Sequence, residues 1–168
     1  METFNEVQNV STQSQQVITA TELLEHWQGH RGLTRRLIEV YPEEHLFTHS
    51  IGGMRPFSDL VLELLAIAGP GLQEIVSGNT TKLDEHRVHD NSKAKLLEMW
   101  DEQTEIINSN FNQISLGRFH ETIKTFGEYE NTVISNILYF IDNEIHHRGQ
   151  AYVYLRSLGI EPPYFWER

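Results

Sequence analysis

The most informative ionisable residue of this 168-residue chain is Glu63. It is the single charged residue in the run LVLELLAIA, Leu60 to Ala68. A carboxylate on a helix that is apolar nearly all round is costly to bury unless it is paired, protonated or bound to a metal. Candidate partners lie near the other end of the chain. Asn143 and His147 are one helical turn apart and share a face, with Glu144 about 60° further round the same helix. A carboxylate, an imidazole and an amide oxygen can hold a divalent cation, the amide being a weaker donor than imidazole for zinc or nickel. The same groups can instead form a buried hydrogen-bonded pair that only specifies packing. Both readings remain open from the residues alone.

Other histidines are also paired by spacing. His26 and His30 lie one turn apart on the first predicted helix, and His30 shares the face of Leu23, Trp27 and Leu37, which makes it a candidate fourth group in the core. His45 and His49 fall in and around a loop, and His86 and His89 belong to a polar connection where solvation is expected. The chain has no cysteine, which excludes disulfides, thiolate metal sites and cysteine nucleophiles together. No GxSxG turn and no glycine-rich loop between a strand and a helix is present, so neither an activated serine nor a phosphate cradle has a motif.

These side chains need helices to place them. The first is predicted from Ala20 to Tyr41, opened by a capping box of Thr19 and Glu22 and closed before Pro42, with the stripe Leu23, Trp27, His30, Thr34, Leu37 and Tyr41. A loop from His45 to Arg55 leads to a second helix with Ser58 as N-cap. Gly69-Pro70-Gly71 should kink or break that helix, with Leu72 to Val76 resuming it. After a polar connection from Ser77 to Asn91, the third helix runs from Ser92 to Ile114. Ser115 to Glu128 reads as a loop with a short extended piece at TIKTF. The fourth and longest helix spans Asn131 to Leu158, with Gly159 as its C-cap and Pro162-Pro163 forbidding continuation.

On the fourth helix Asn136, Phe140, Asn143, His147, Ala151, Tyr154 and Leu158 fall on one core-facing line. Ile134, Leu138, Ile145 and Tyr152 form a second apolar surface. A helix buried on two sides is either central within one chain or the interface of a homodimer. The fold class is all-α, a four-helix bundle, with one domain over residues 17–168 and a polar arm over residues 1–16.

The net charge is −11, from 24 acidic and 13 basic residues, with no basic cluster. Duplex nucleic acid is therefore not an expected partner. The pair Arg35-Arg36 reads as a solvated helix face. No window reaches the ~20 apolar residues of a membrane span, so no membrane is expected as a partner. The N-terminus lacks the pattern of a secretory signal, so the expected compartment is the cytoplasm.

Two segments carry a resemblance. NEIHHRGQAYVYLRSLGIEPP, Asn143 to Pro163, and the entry RPFSDLVLELL to the second helix are similar to the DinB-like superfamily, over most of residues 20–163. The resemblance implies an up-down-down-up four-helix bundle, often dimeric, with a divalent metal between the second and fourth helices. Members with known chemistry are thiol-dependent transferases or isomerases using bacillithiol, mycothiol or glutathione. The usual metal triad is three histidines, one on the second helix and two ending just before RGQ. By position these become Glu63, Asn143 and His147, of which only His147 is the usual residue. The implied function is a metal-dependent enzyme with an altered triad. Its metal, zinc, nickel or similar, would deprotonate an external low-molecular-weight thiol. The alternative is a stress-related, non-catalytic bundle that binds a small molecule or a protein partner through a polar core pocket. The family's name refers to damage-inducible expression, and the acidic chain offers DNA no contact surface.

Overall fold

The computed structural model describes residues 17–168, and the polar arm of residues 1–16 lies outside them. The helices are α1 (Ala20–Val40), α2 (Glu43–Leu46), α3 (Phe57–Ser77), α4 (Lys93–Phe111) and α5 (Val133–Ser157). A 3-10 turn (Leu116–His120) and a hairpin of β1 (Thr122–Thr125) and β2 (Tyr129–Thr132) join α4 to α5. The four long helices form the expected bundle, and α2 is a single turn beginning just before the stretch read as a loop. α1 and α3 each pack against α4 and α5, so the consecutive pairs α1–α3 and α4–α5 lie across diagonals, as in the up-down-down-up connectivity.

Local chemistry accounts for the helix ends. The capping box forms as expected: Glu22 N–H donates to Thr19 Oγ1 at 3.1 Å, and Thr19 N–H donates to Glu22 Oε2 at 2.7 Å. At the far end of α5, Gly159 has φ +75°, and its N–H donates to Arg156 O at 3.0 Å while Ile160 N–H donates to Leu155 O at 3.0 Å. This pair of bonds satisfies carbonyls that a helix end leaves open, and glycine adopts the required left-handed backbone without steric cost. α3 begins two residues earlier than expected. Its N-cap is Pro56, and Ser58 lies inside the helix, buried.

The Gly69-Pro70-Gly71 sequence does not break α3, which runs unbroken through it. Proline disturbs the preceding turn, and the Gly69 N–H is taken up by the buried Gln103 Oε1 of α4 at 2.9 Å. The two glycines allow close approach on both sides. A Cβ at Gly71 would stand 2.5 Å from Phe140 Cζ, and one at Gly69 would collide with the Gln103 amide. Tight packing therefore explains a motif that reads as punctuation. By length and composition α3 also passes as a membrane span, contrary to the expectation from hydropathy, but 72% of that window is buried inside the bundle.

β1 and β2 pair antiparallel, Thr122 with Thr132 and Thr125 with Tyr129. Asn131 and Thr132, expected to open the fourth helix, instead close the hairpin, and Thr132 caps α5 by accepting from Ser135 N–H at 3.3 Å. The apolar core falls into two clusters. One surrounds Tyr41, Phe57, Trp100 and Tyr154, and the other surrounds Trp27, Phe111 and Phe140. Polar residues lie between them: His30, Arg31 and Thr34 on α1, and Glu144, His147 and Arg148 on α5.

Candidate functional site

Glu63, in the first third of α3, meets α5 at this polar layer. Its Oε1 lies 2.9 Å from His147 Nε2 and accepts from Asn143 Nδ2 at 3.4 Å. The three residues singled out by sequence are thus brought together. The carboxylate is less isolated than the apolar run implied, with its side chain 16% exposed. It also has a partner that sequence reasoning missed, because the Arg55 guanidinium donates to Oε2. The second arm of Arg55 reaches Glu85 at 3.3 Å, and the Tyr154 hydroxyl donates to the Arg55 carbonyl at 3.1 Å, which fixes the backbone beside the site. Burial works against the charged form of Glu63. The hydrogen bonds from Arg55 and His147, with their charges, outweigh it and hold the carboxyl below the usual range.

His147 is oriented from behind. Its Nδ1 lies 2.8 Å from Gln150 Oε1, one turn further along α5. A proton held there by the amide oxygen directs Nε2 toward Glu63. Gln150 belongs to the HHRGQ segment, and Arg55 stands just before Pro56 in RPFSD. Both lay in the quoted motifs, but only the folded chain shows their roles.

Glu144 and His30, the two possible additional ligands, are not part of this cluster. Glu144 is on the α1 side of α5, where Oε1 accepts from Thr34 Oγ1 at 2.6 Å and lies 3.6 Å from Arg148, and Oε2 lies 3.8 Å from Arg31. Burial pushes its carboxyl up against the pull of Arg31, Thr34 and Arg148. Burial likewise lowers Arg31 to about 10 despite Glu144. His30 Nδ1 faces Arg148 Nη2 at 2.8 Å. A guanidinium only donates, so Nδ1 accepts from Arg148, while Nε2 faces both His26 Nε2 at 3.2 Å and the Arg168 guanidinium at 3.1 Å. Burial and then Arg148 lower its pKa to about 3. With Arg148 at Nδ1 and Arg168 at Nε2, a guanidinium stands at each ring nitrogen of His30, where a metal would have to bind. The angular offset of Glu144 on its helix, modest by sequence, is enough to turn it to another neighbour.

The remaining histidines are scattered. His49 Nε2 lies 2.9 Å from Ser157 Oγ, and His86 is exposed. His89, expected in solvent, stacks on Phe47 at 4.9 Å.

Among the described residues no group of three or more His, Cys, Asp and Glu side chains forms a metal cluster. The Glu63 site reaches three donors only by counting the Asn143 amide, whose O and N can be exchanged by a flip. Its donor separations of 2.9 and 3.4 Å nonetheless suit a shared ion, because ligands bound at ~2.0–2.2 Å stand about 3–3.5 Å from each other. Arg55 competes for the same carboxylate, but it is 45% exposed and already linked to Glu85. The donor set therefore fits a divalent cation, with two strong ligands and one weak one.

The chain matches a family model described as the DinB family over residues 8–167. Among solved structures it is similar to a DinB-like protein of Bacillus subtilis, with 22% identity, a TM-score of 0.70, and coverage of 87% of this chain and 99% of that one. It is also similar to a DinB-like protein of Bacillus cereus, with 16% identity, a TM-score of 0.68, and coverage of 87% and 97%. At these identities the likeness is one of fold. No curated protein sequence matches.

Proposed function

The chain belongs to the DinB family, and from that premise we propose that Glu63, Asn143 and His147 form the centre of a divalent-metal-dependent enzyme acting on a small molecule. The observation that carries this reading is the convergence of Asn143 and His147 on Glu63 Oε1. Glu63 and His147 would be the strong ligands and the Asn143 amide oxygen the third. The chemistry a bound metal supplies is Lewis acidity, which lowers the pKa of a thiol from solution so that it attacks as thiolate. Gln150 keeps His147 Nε2 aimed at the site, where the proton it donates to Glu63 would be given up when a cation binds, and Arg55 offsets the Glu63 charge in the absence of a cation. The chain provides no thiol of its own, as it has no cysteine.

A second reading is favoured by the completeness of the network. Glu63 already has Arg55, His147 and Asn143 as partners, so the cluster can also serve as the polar lining of a non-catalytic binding bundle. Metal content of untagged protein separates the two. About one divalent ion per chain, lost in Glu63→Ala, is the result expected of the enzyme; metal-free protein that takes up neither zinc nor nickel selects the binding bundle. The further proposals are a cytoplasmic location, no duplex DNA as partner, and a homodimer through α5.

A further inference from the structure

The hairpin and the connection after α3 enclose, against α3 and α5, a cavity of about 230 Å³. Four aromatic rings line it, Phe126, Tyr129, Tyr139 and Phe140, and no charged side chain does. Leu83 forms part of the connection's wall and Ile67 part of the α3 wall. An apolar cavity of about 150 Å³ holds benzene, so this one has room for a single substituted ring. Its polar contribution includes the buried Asn136. The Oδ1 of Asn136 accepts from Thr125 Oγ1 at 3.3 Å, and an amide oxygen has a second lone pair for a donor on a ligand.

The two loop walls are tied by one side chain. Glu74 of α3 is 5% exposed. Its Oε2 accepts from Thr81 N–H and Thr81 Oγ1, both at 3.2 Å, and from Phe126 N–H at 3.0 Å. Thr81 stands two residues before Leu83, and Phe126 lines the cavity itself. Phe126 has φ +53°, a left-handed backbone that a bulky residue disfavours and that persists only when its surroundings impose it. The Glu74 carboxylate imposes it here, and the ring is set into the cavity wall. A buried acceptor that joins two loops, and a strained aromatic between them, are the features of a shaped pocket.

The cavity also adjoins the site. Ile67 is one turn beyond Glu63, and Tyr139 one turn before Asn143. The Tyr139 hydroxyl is raised by burial and then by the Glu63 charge, which places it within the field of that carboxylate.

We propose that this cavity binds an uncharged single-ring aromatic molecule bearing a hydroxyl group, with Glu74 as the residue that holds its two loop walls in place. The identification of that molecule as a substrate rests on the catalytic reading of Glu63 and His147; its binding does not. Phenol is the probe and benzoate, of similar shape but anionic, the control. Each is titrated into chelator-treated and zinc-loaded protein and followed by amide chemical shifts.

Phenol is expected to give saturable shifts concentrated in the hairpin, Leu83 and the first half of α5, and to bind at least tenfold more tightly than benzoate. Leu83→Trp, which fills the mouth from a position 40% exposed, should weaken phenol at least tenfold. Ile67→Phe, filling from α3, should do the same, with circular dichroism identifying which variant is folded. Glu74→Gln should weaken phenol severalfold. Scattered or non-saturating shifts, equal binding of benzoate, or undiminished binding in a folded filled variant overturns the proposal. Phenol binding without zinc uptake retains the cavity and removes the metal reading; zinc uptake without phenol binding does the reverse.

Discussion

His147 Nε2 stands 2.9 Å from Glu63 Oε1, a contact between residues 84 positions apart that joins α5 to α3 at the middle of the bundle. The Glu63→Ala variant tests what that contact is for. If the pair holds a metal, occupancy should fall sharply by elemental analysis of untagged protein. If it is only a hydrogen bond, the variant should lose roughly 1–3 kcal/mol of stability in urea unfolding, from the unsatisfied partner. A variant unchanged in both measurements contradicts both roles.

Acid should weaken the fold through Glu63. Its folded-state pKa lies below the ordinary carboxylate value, after Arg55 and His147 outweigh burial. The stabilisation is therefore complete above the unfolded value of about 4.3 and is lost as pH falls through the folded value. Unfolding free energies measured from pH 6 to pH 3 should drop less steeply in Glu63→Gln than in the unmodified chain. Parallel profiles would show that the carboxylate does not contribute.

The Glu144 cluster should be intolerant of single changes. Glu144→Ala leaves Arg31 and Arg148 buried without their carboxylate and is expected to cost about 3–5 kcal/mol. Urea denaturation of the variant measures it, and a loss under 1 kcal/mol would mean that water enters to replace the carboxylate.

Gly71→Ala places a methyl group against the Phe140 ring, at 2.5 Å from Cζ before any adjustment. The expected penalty is about 1–3 kcal/mol, read as a lower midpoint in thermal unfolding. An unchanged midpoint would show that Phe140 moves freely into the neighbouring cavity, which it lines. Phe140→Leu should relieve much of the cost in the double variant.

Leu138, Ile145 and Val153 are 44%, 38% and 56% exposed on α5. If this surface closes a homodimer, light scattering should give twice the chain mass, and Leu138→Glu with Ile145→Glu should return it to the monomer. A monomeric unmodified chain at high micromolar concentration rejects the interface.

Much of the fold was legible in the sequence because local rules set it. The Thr19–Glu22 box and the Gly159 turn act within a few residues, and the stripe from Leu23 to Tyr41 records the helical period directly. The choice of Glu63 and His147 also followed from sequence, since an acid in an apolar run demands a partner. What the sequence left undecided depended on contacts between distant segments. Gly69-Pro70-Gly71 reads as an interruption until Gln103 arrives from α4 to accept the Gly69 amide. Arg55 and Glu63 become partners through the turn into α3, and Glu144 turns to Arg31 because α1 lies on that side. TIKT becomes a strand only when YENT pairs with it. Hydrogen bonds and ion pairs are short-ranged and directional, so residue type restricts what each group needs, while the path of the chain decides which neighbour supplies it.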